Sequence, residues 1–220
     1  RDESIVASSD GCLYTFGPDG TLLWRFSSPA PLYQVTVVRG NNRTRMVLTG
    51  GVERTLYALS PDGTQIASRD FPRCIRHVRA GRYTHAGTDT VAVATTTSGL
   101  SGKLALHLLD PQNLEPVWGK TDLGSFSFNS GKRFFDMIAA DVDADGTEEI
   151  VLSHSWGDGA RITAFSGDGS RLYSAASPKK VPRIPYRMNL LAFVSLPGDR
   201  YILDLFGNLL VRHEPDGTVR

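Results

Sequence analysis

Five times along this chain an alternating apolar strand runs into one kind of tight turn and out again as another strand. The copies are LYTFGPDGTLLW (13–24), LYALSPDGTQIA (56–67), LHLLDPQNLEPVW (106–118), ITAFSGDGSRLY (162–173) and LVRHEPDGTVR (210–220). Alternation at period two marks a half-buried strand. In the turn, proline presets φ, aspartate bonds its own backbone two residues on, and glycine accepts positive φ. In the third copy Asn113 stands in the glycine's place and is expected to take that conformation.

A short apolar strand precedes each copy: SIVAS (4–8), RMVLTG (45–50), VAVATT (91–96), EIVLSH (149–154) and YILDLF (201–206). Before four of these lies another: YQVTVV (33–38), IRHVRA (75–80), FDMIAA (135–140) and NLLAFV (189–194). With the strands named A to D, the repeats run about 1–30, 31–72, 73–125, 126–178 and 179–220. Four strands per repeat, at this period and with almost no helical pattern, predict an all-β chain folded as a β-propeller of about five blades. A two-sheet sandwich is the competing architecture, and it does not account for five recurrences of one turn. The first repeat lacks A and the fifth lacks D. The chain is therefore expected to be a piece of a longer propeller, the other reading being a five-bladed ring with two thinned blades.

Composition narrows the partners. Net charge is +1 over 220 residues, so no global field favours nucleic acid or an anionic membrane. No apolar run reaches the roughly 20 residues that a helical membrane span needs. The first residue is Arg1, so any targeting peptide is expected to be gone already. Cys12 and Cys74 fall in different repeats with another between them, and they are read as free thiols.

Two family resemblances follow from quoted runs. The turn copies, above all GCLYTFGPDGTLLWRF (11–26), resemble the PQQ-like, quinoprotein-type propeller repeat. That resemblance implies blade architecture; the residues that hold the quinone are missing, so no PQQ is expected. DVDADGTEE (141–149), followed by IVL, resembles the calcium loop of FG-GAP/VCBS repeats, found in integrin-α-like propellers and in propeller polysaccharide lyases.

The loop's own chemistry agrees with that likeness. Ca²⁺ takes six to eight oxygens in a flexible shell. Asp141, Asp143 and Asp145 alternate along a curling backbone, Gly146 permits the sharp turn, and the Thr147 carbonyl adds an oxygen. Glu149 closes the set, with Glu148 as the alternative. Mg²⁺ suits such a loop less well, because it demands octahedral geometry and keeps its waters. A structural role is expected, pinning the A–B hairpin of the fourth blade. The other A–B connections, 39–46, 80–91 and 195–201, lack the carboxylates to do the same.

In a propeller the D–A and B–C loops open on one face and the A–B and C–D turns on the other. The first face would carry Arg73, Arg76, His77, Lys132, Arg133, Arg183, Tyr186 and Arg187, with Arg54, Lys103, His154 and Trp156 from the B–C loops. Arginine forks suit carboxylates and other oxyanions, and aromatic faces suit sugar rings. The ligand-binding expectation rests on Arg76, Arg133, His154, Trp156, Tyr186 and Arg187. No nucleophile elbow, zinc spacing or phosphate-cradling loop is present. His154 or Tyr186 as base, with Arg187, Arg76 or Arg133 stabilising an enolate, are weak candidates for lyase chemistry. Asn42-Arg43-Thr44 matches a glycosylation sequon.

Three functional readings result. The first is a calcium-stabilised propeller module of a secreted, periplasmic or cell-surface protein that binds a glycan or protein ligand. The second is a propeller polysaccharide lyase acting on an acidic, uronic-acid glycan. The third is a structural propeller within a larger assembly.

Overall fold

Nineteen strands form among the described residues, and they group into five sheets. The computed structural model describes the chain except for residues 1–2, 40–44, 52, 86, 98–100, 122, 124, 128–135, 157–158, 177–188, 197–198, 207–208 and 220. The first sheet holds β1 (Ser4–Ala7), β2 (Cys12–Phe16) and β3 (Leu22–Ser27) in sequence order. The second holds β4 (Leu32–Arg39), β5 (Arg45–Gly51), β6 (Thr55–Leu59) and β7 (Gln65–Asp70). The third is built from β8 (Cys74–Gly81), β9 (Thr90–Thr96), β10 (Ser101–Leu109) and β11 (Pro116–Lys120), and the short β12 (Ser125–Ser127) pairs with β10. The fourth holds β13 (Asp136–Ala140), β14 (Glu149–Trp156), β15 (Gly159–Phe165) and β16 (Arg171–Ala176). The fifth holds β17 (Asn189–Leu196), β18 (Asp199–Phe206) and β19 (Leu209–His213), with one bridge from His213 to Val219.

The fold is an all-β propeller built from meandering blades, and no helix occurs among the described residues. Only β12 lay outside the sequence reading. The chain's contacts divide into two compact units. One comprises Arg1–Gly81, Ala86–Thr97 and Leu106–Gly119; the other comprises Arg82–His85, Ser98–Ala105 and Lys120–Arg220.

The turns behave as their chemistry dictates. Gly20, Gly63, Gly169 and Gly217 take φ of 80°, 86°, 83° and 85°. Asp19, Asp62, Asp168 and Asp216 each accept the amide two residues on through Oδ1. The fourth copy has glycine where the others have proline, because a β-carbon at Gly167 would overlap the Tyr83 carbonyl. The third copy corrects the expectation for Asn113. Its turn is one residue longer, closed by the Leu114 amide on the Asp110 carbonyl at 2.8 Å. Leu114, not Asn113, has positive φ (59°), and it is buried. Burial of the leucine side chain offsets the local strain, while Asn113 Oδ1 accepts the Glu115 amide.

Apolar packing joins neighbouring sheets within each unit. In the first unit, Leu13, Leu32, Val47 and Leu59 form one cluster, and Leu48, Leu56, Ile75, Val78, Val91 and Val93 belong to a second. In the second unit Val142, Val151, Ile162, Leu191 and Ile202 pack together. β9 is buried at all seven residues, as a strand covered on both faces must be.

An aromatic at the end of the turn copy secures successive blades. Trp24 on β3 covers the turn of the second blade, and its ring stands 2.6 Å from where a β-carbon on Gly63 would project. In the second unit Tyr173 on β16 covers Gly217 in the same manner, at 3.0 Å. Cys12 is half-buried and Cys74 buried, and both are free.

Candidate functional site

The acidic loop leaves β13 at Ala140 and rejoins the ladder at Glu149, two residues paired directly across the strands. Asp141, Asp143 and Glu149 bring one carboxylate oxygen each to within 4.8 Å of the others. Glu149 is 2% exposed, and its Oε2 accepts the Val142 amide at 2.8 Å. Burial pushes its carboxyl up to about 7, against the pull of that amide; the charges of Asp143, Asp145 and Asp141 add to the rise. Asp141 Oδ1 is buried with no donor. Its Oδ2 lies 3.3 Å from Arg200 Nη1, which also donates to the Asp141 carbonyl at 3.1 Å.

Asp145 and Thr147 are bonded to each other within the loop. Asp145 Oδ1 accepts from the Thr147 hydroxyl at 2.6 Å and amide at 2.7 Å, which holds the exposed carboxyl below its ordinary range. The pair shapes the turn from Asp145 into β14. Glu148 is turned away from the trio. It exchanges two hydrogen bonds with Arg82, its amide to the carbonyl at 2.8 Å and its Oε2 from the amide at 2.7 Å. Ala144 takes φ of 70°, an uncommon conformation for alanine. Arg200, which no motif in the sequence marks, follows Asp199 at the start of β18 and pairs with Ser195. A cleft of about 520 Å³ opens beside the loop, lined by Asp143, Ala144, Leu196, Asp199, Arg200 and Asp216 among others. Three carboxylates and one arginine make it a poor receptor for an anion.

Of the six residues expected to bind a ligand, Arg76 is the one whose side chain is described. Arg76 lies on β8, half-buried, its Nε donating to Thr96 Oγ1 at 2.9 Å. His154 and Trp156 were expected in a B–C loop. The backbone of both instead continues β14, with His154 opposite Arg161 and Trp156 opposite Gly159. Their side chains lie outside the described residues, as do Lys132, Arg133, Arg183, Tyr186, Arg187 and the 42–44 sequon.

A buried polar seam crosses the fourth and fifth sheets. Asp204 on β18 and Ser153 on β14 are both fully buried, and Ser153 Oγ donates to Asp204 Oδ1 at 3.4 Å. Asp204 Oδ2 has no partner among the described residues. Burial raises its carboxyl to about 6; the Ser153 bond opposes that rise and the Asp136 charge adds to it. Asp136 accepts the Leu191 amide at 3.0 Å. No run in the sequence marks Asp204, which stands singly in an apolar strand.

Comparison with known proteins fits this architecture. A family model described as "Lambda-carrageenase beta-propeller domain" matches residues 1–220. A lambda-carrageenase of Pseudoalteromonas carrageenovora is 25% identical over 95% of this chain, and one of Pseudoalteromonas sp is 24% identical over 95%. This chain spans 24% of the length of each. Among solved structures, BBS1N in complex with ARL6DN has a TM-score of 0.61 at 12% identity, covering 98% of this chain and 59% of that one. The Dos1 propeller has a TM-score of 0.59 at 10% identity, covering 96% and 64%. A Bacteroides caccae protein of unknown function has 0.54 at 12%, covering 99% and 70%. These three likenesses bear on the fold alone.

Proposed function

This chain belongs to the lambda-carrageenase β-propeller domain family, and from that premise we propose that it is an extracellular module that binds a sulfated polysaccharide. The observation that carries this is the family match along all 220 residues, since the curated relatives are lambda-carrageenases by name. Guanidinium groups at the D–A and B–C ends supply the charge that sulfate esters require. The acidic cleft beside residues 141–149 directs an anionic glycan to those ends instead.

A calcium ion at the acidic loop belongs to the same proposal. The donor set is hard oxygen throughout, and the buried Asp141 Oδ1 lacks a partner that a cation would supply. Asp141, Asp143 and Glu149 would hold the ion, with Asp145 and Thr147 shaping the loop around it. The likeness to FG-GAP/VCBS loops supports the same assignment. Bound there, the ion supplies charge neutralisation for carboxylates that otherwise repel, and it fastens the hairpin between β13 and β14.

Affinity electrophoresis tests the binding role. The chain should be retarded in gels containing lambda-carrageenan and run freely in gels containing its desulfated form or a uronic-acid polysaccharide. Equal mobility in all three would remove the proposal. Retardation by the uronic-acid gel alone would redirect it to carboxylated glycans.

A further inference from the structure

The first unit contains a feature that the repeat pattern does not require. The strands β4 and β8, both in this unit, each carry one residue out of the ladder, close to the start of the strand. In β4, Leu32 pairs with Gly51 and Gln34 with Gly50, so Tyr33 has no opposite number. In β8, Ile75 pairs with Thr95 and His77 with Ala94, so Arg76 has none. A bulge of this kind bends the strand and re-aims the extra side chain, and bulges gather beside binding and active sites.

The two bulged residues lie at one end of neighbouring strands. β4 and β8 run side by side: the Ala80 amide donates to Thr36 Oγ1 at 3.1 Å and Arg79 Nη1 donates to Gln34 Oε1 at 3.1 Å. Tyr33 is 50% exposed, unusual for an aromatic on an inner strand. Arg76 is anchored by its Nε on the buried Thr96 hydroxyl, which leaves both terminal nitrogens without a partner among the described residues. Arg54 joins them from the turn after β5. It is held at φ 69°, its carbonyl takes the Phe71 amide at 2.8 Å, and Nη1 reaches the Pro72 carbonyl at 3.4 Å. A non-glycine residue kept in that conformation stores strain, a mark of binding and switch regions.

Charge at this end is not cancelled locally. Two carboxylates of these blades serve hydroxyls: Glu53 accepts from Ser28 and Tyr57, and Asp70 accepts from Thr55. Neither Arg54 nor Arg76 has a carboxylate partner among the described residues. An exposed phenol ring and two guanidinium groups without carboxylate partners, carried at one end of adjoining strands, match a sugar ring that carries a sulfate ester. The ring face takes the C–H face of the pyranose, and the forks take the sulfate oxygens. We infer that Tyr33, Arg76 and Arg54 form a subsite for one sulfated sugar residue. It deepens the sulfated-polysaccharide reading above and rests on it.

Calorimetric titration of the full chain with lambda-carrageenan oligosaccharides and their desulfated counterparts tests the subsite. Arg76→Ala should weaken binding of the sulfated ligand about tenfold or more, the loss expected for one charged hydrogen-bonding group. Arg76→Gln keeps the stem and a donor toward Thr96 without the charge, and it should show the same loss at unchanged melting temperature. Tyr33→Ala should weaken binding about tenfold, and Tyr33→Phe should retain it. Wild-type affinity for the sulfated ligand in Arg76→Gln and Tyr33→Ala would overturn the subsite and leave the glycan-binding role standing. An equal loss for sulfated and desulfated ligands in Arg76→Gln would overturn sulfate recognition by Arg76. Absence of binding by the unaltered chain would remove the subsite and the broader reading together.

Discussion

The indole Nε1 of Trp24 donates to the carbonyl of Pro61 at 2.8 Å, which ties the last strand of the first blade to the turn of the second. The same ring covers Gly63, where any side chain would collide with it and φ is already 86°. One aromatic thus reads both special residues of the next turn. Trp24→Ala should cost about 2–3 kcal/mol through lost packing and an unmade hydrogen bond. Gly63→Ala should cost about 1–3 kcal/mol through backbone strain and the ring clash. Urea unfolding measures both. Additive losses in the double variant would show that the two positions are not coupled.

Calcium should raise the melting temperature, and chelation should return it. A ligand at a hundred times its Kd stabilises the native state by about 2.7 kcal/mol. Asp143→Asn, which removes a charge at an exposed position, should abolish most of that response. A chelator-insensitive melting curve would remove the ion from the loop.

Ala144 at φ 70° offers a cleaner test of the loop backbone. Ala144→Gly should stabilise the calcium-free protein by up to about 1 kcal/mol, because the left-handed conformation penalises alanine and not glycine. Leu114→Gly should do the reverse despite its similar φ of 59°, since the leucine is buried and its packing outweighs the strain. Thermal or urea melts of the two variants should move in opposite directions.

Asp204 sets a pH dependence whose sign follows from its burial. Its carboxyl is raised from 3.8 to about 6, so the folded state holds a proton that the unfolded state releases. The stability this contributes is full below the unfolded value and is lost as pH rises toward about 6. Asp204→Asn keeps the shape without the ionisation, and it should melt higher than the parent at pH 8 with little difference at pH 3.5. Glu149, raised from 4.5 to about 7, adds a parallel loss in calcium-free protein. The difference between parent and Asp204→Asn curves isolates Asp204. A flat difference curve across pH 4–7 would show that Asp204 does not titrate there.

The strands and turns were legible because each is a local matter. Period-two alternation and a Pro-Asp-Gly run depend on three to six consecutive residues, and the four glycine-bearing turns take the predicted conformation. Asn113 misled because one inserted residue moves the positive φ to Leu114, and composition does not register an insertion. The three convergent carboxylates could be named from spacing. That Asp145 is taken up by the Thr147 hydroxyl could not, because either use of an aspartate in such a loop is locally satisfactory. Arg200 and Asp204 come from another blade, so only the packing of the second unit brings them to residues 141 and 153. The bulges at Tyr33 and Arg76 depend on how each strand pairs with its neighbour, which runs of five or six residues do not record.

A residue lifted out of its ladder has no backbone pairing partner across the strands, even where its side chain reaches one, as Arg76 does at Thr96. Tyr33 and Arg76 can therefore change identity without disturbing the pairings on either side, as long as the backbone keeps its extra residue. On the proposed subsite, ligand preference and fold stability would be written at separate positions of the same strand. A library randomised at 33 and 76 should hold its melting temperatures within a narrow band while spreading widely in the glycans it retains.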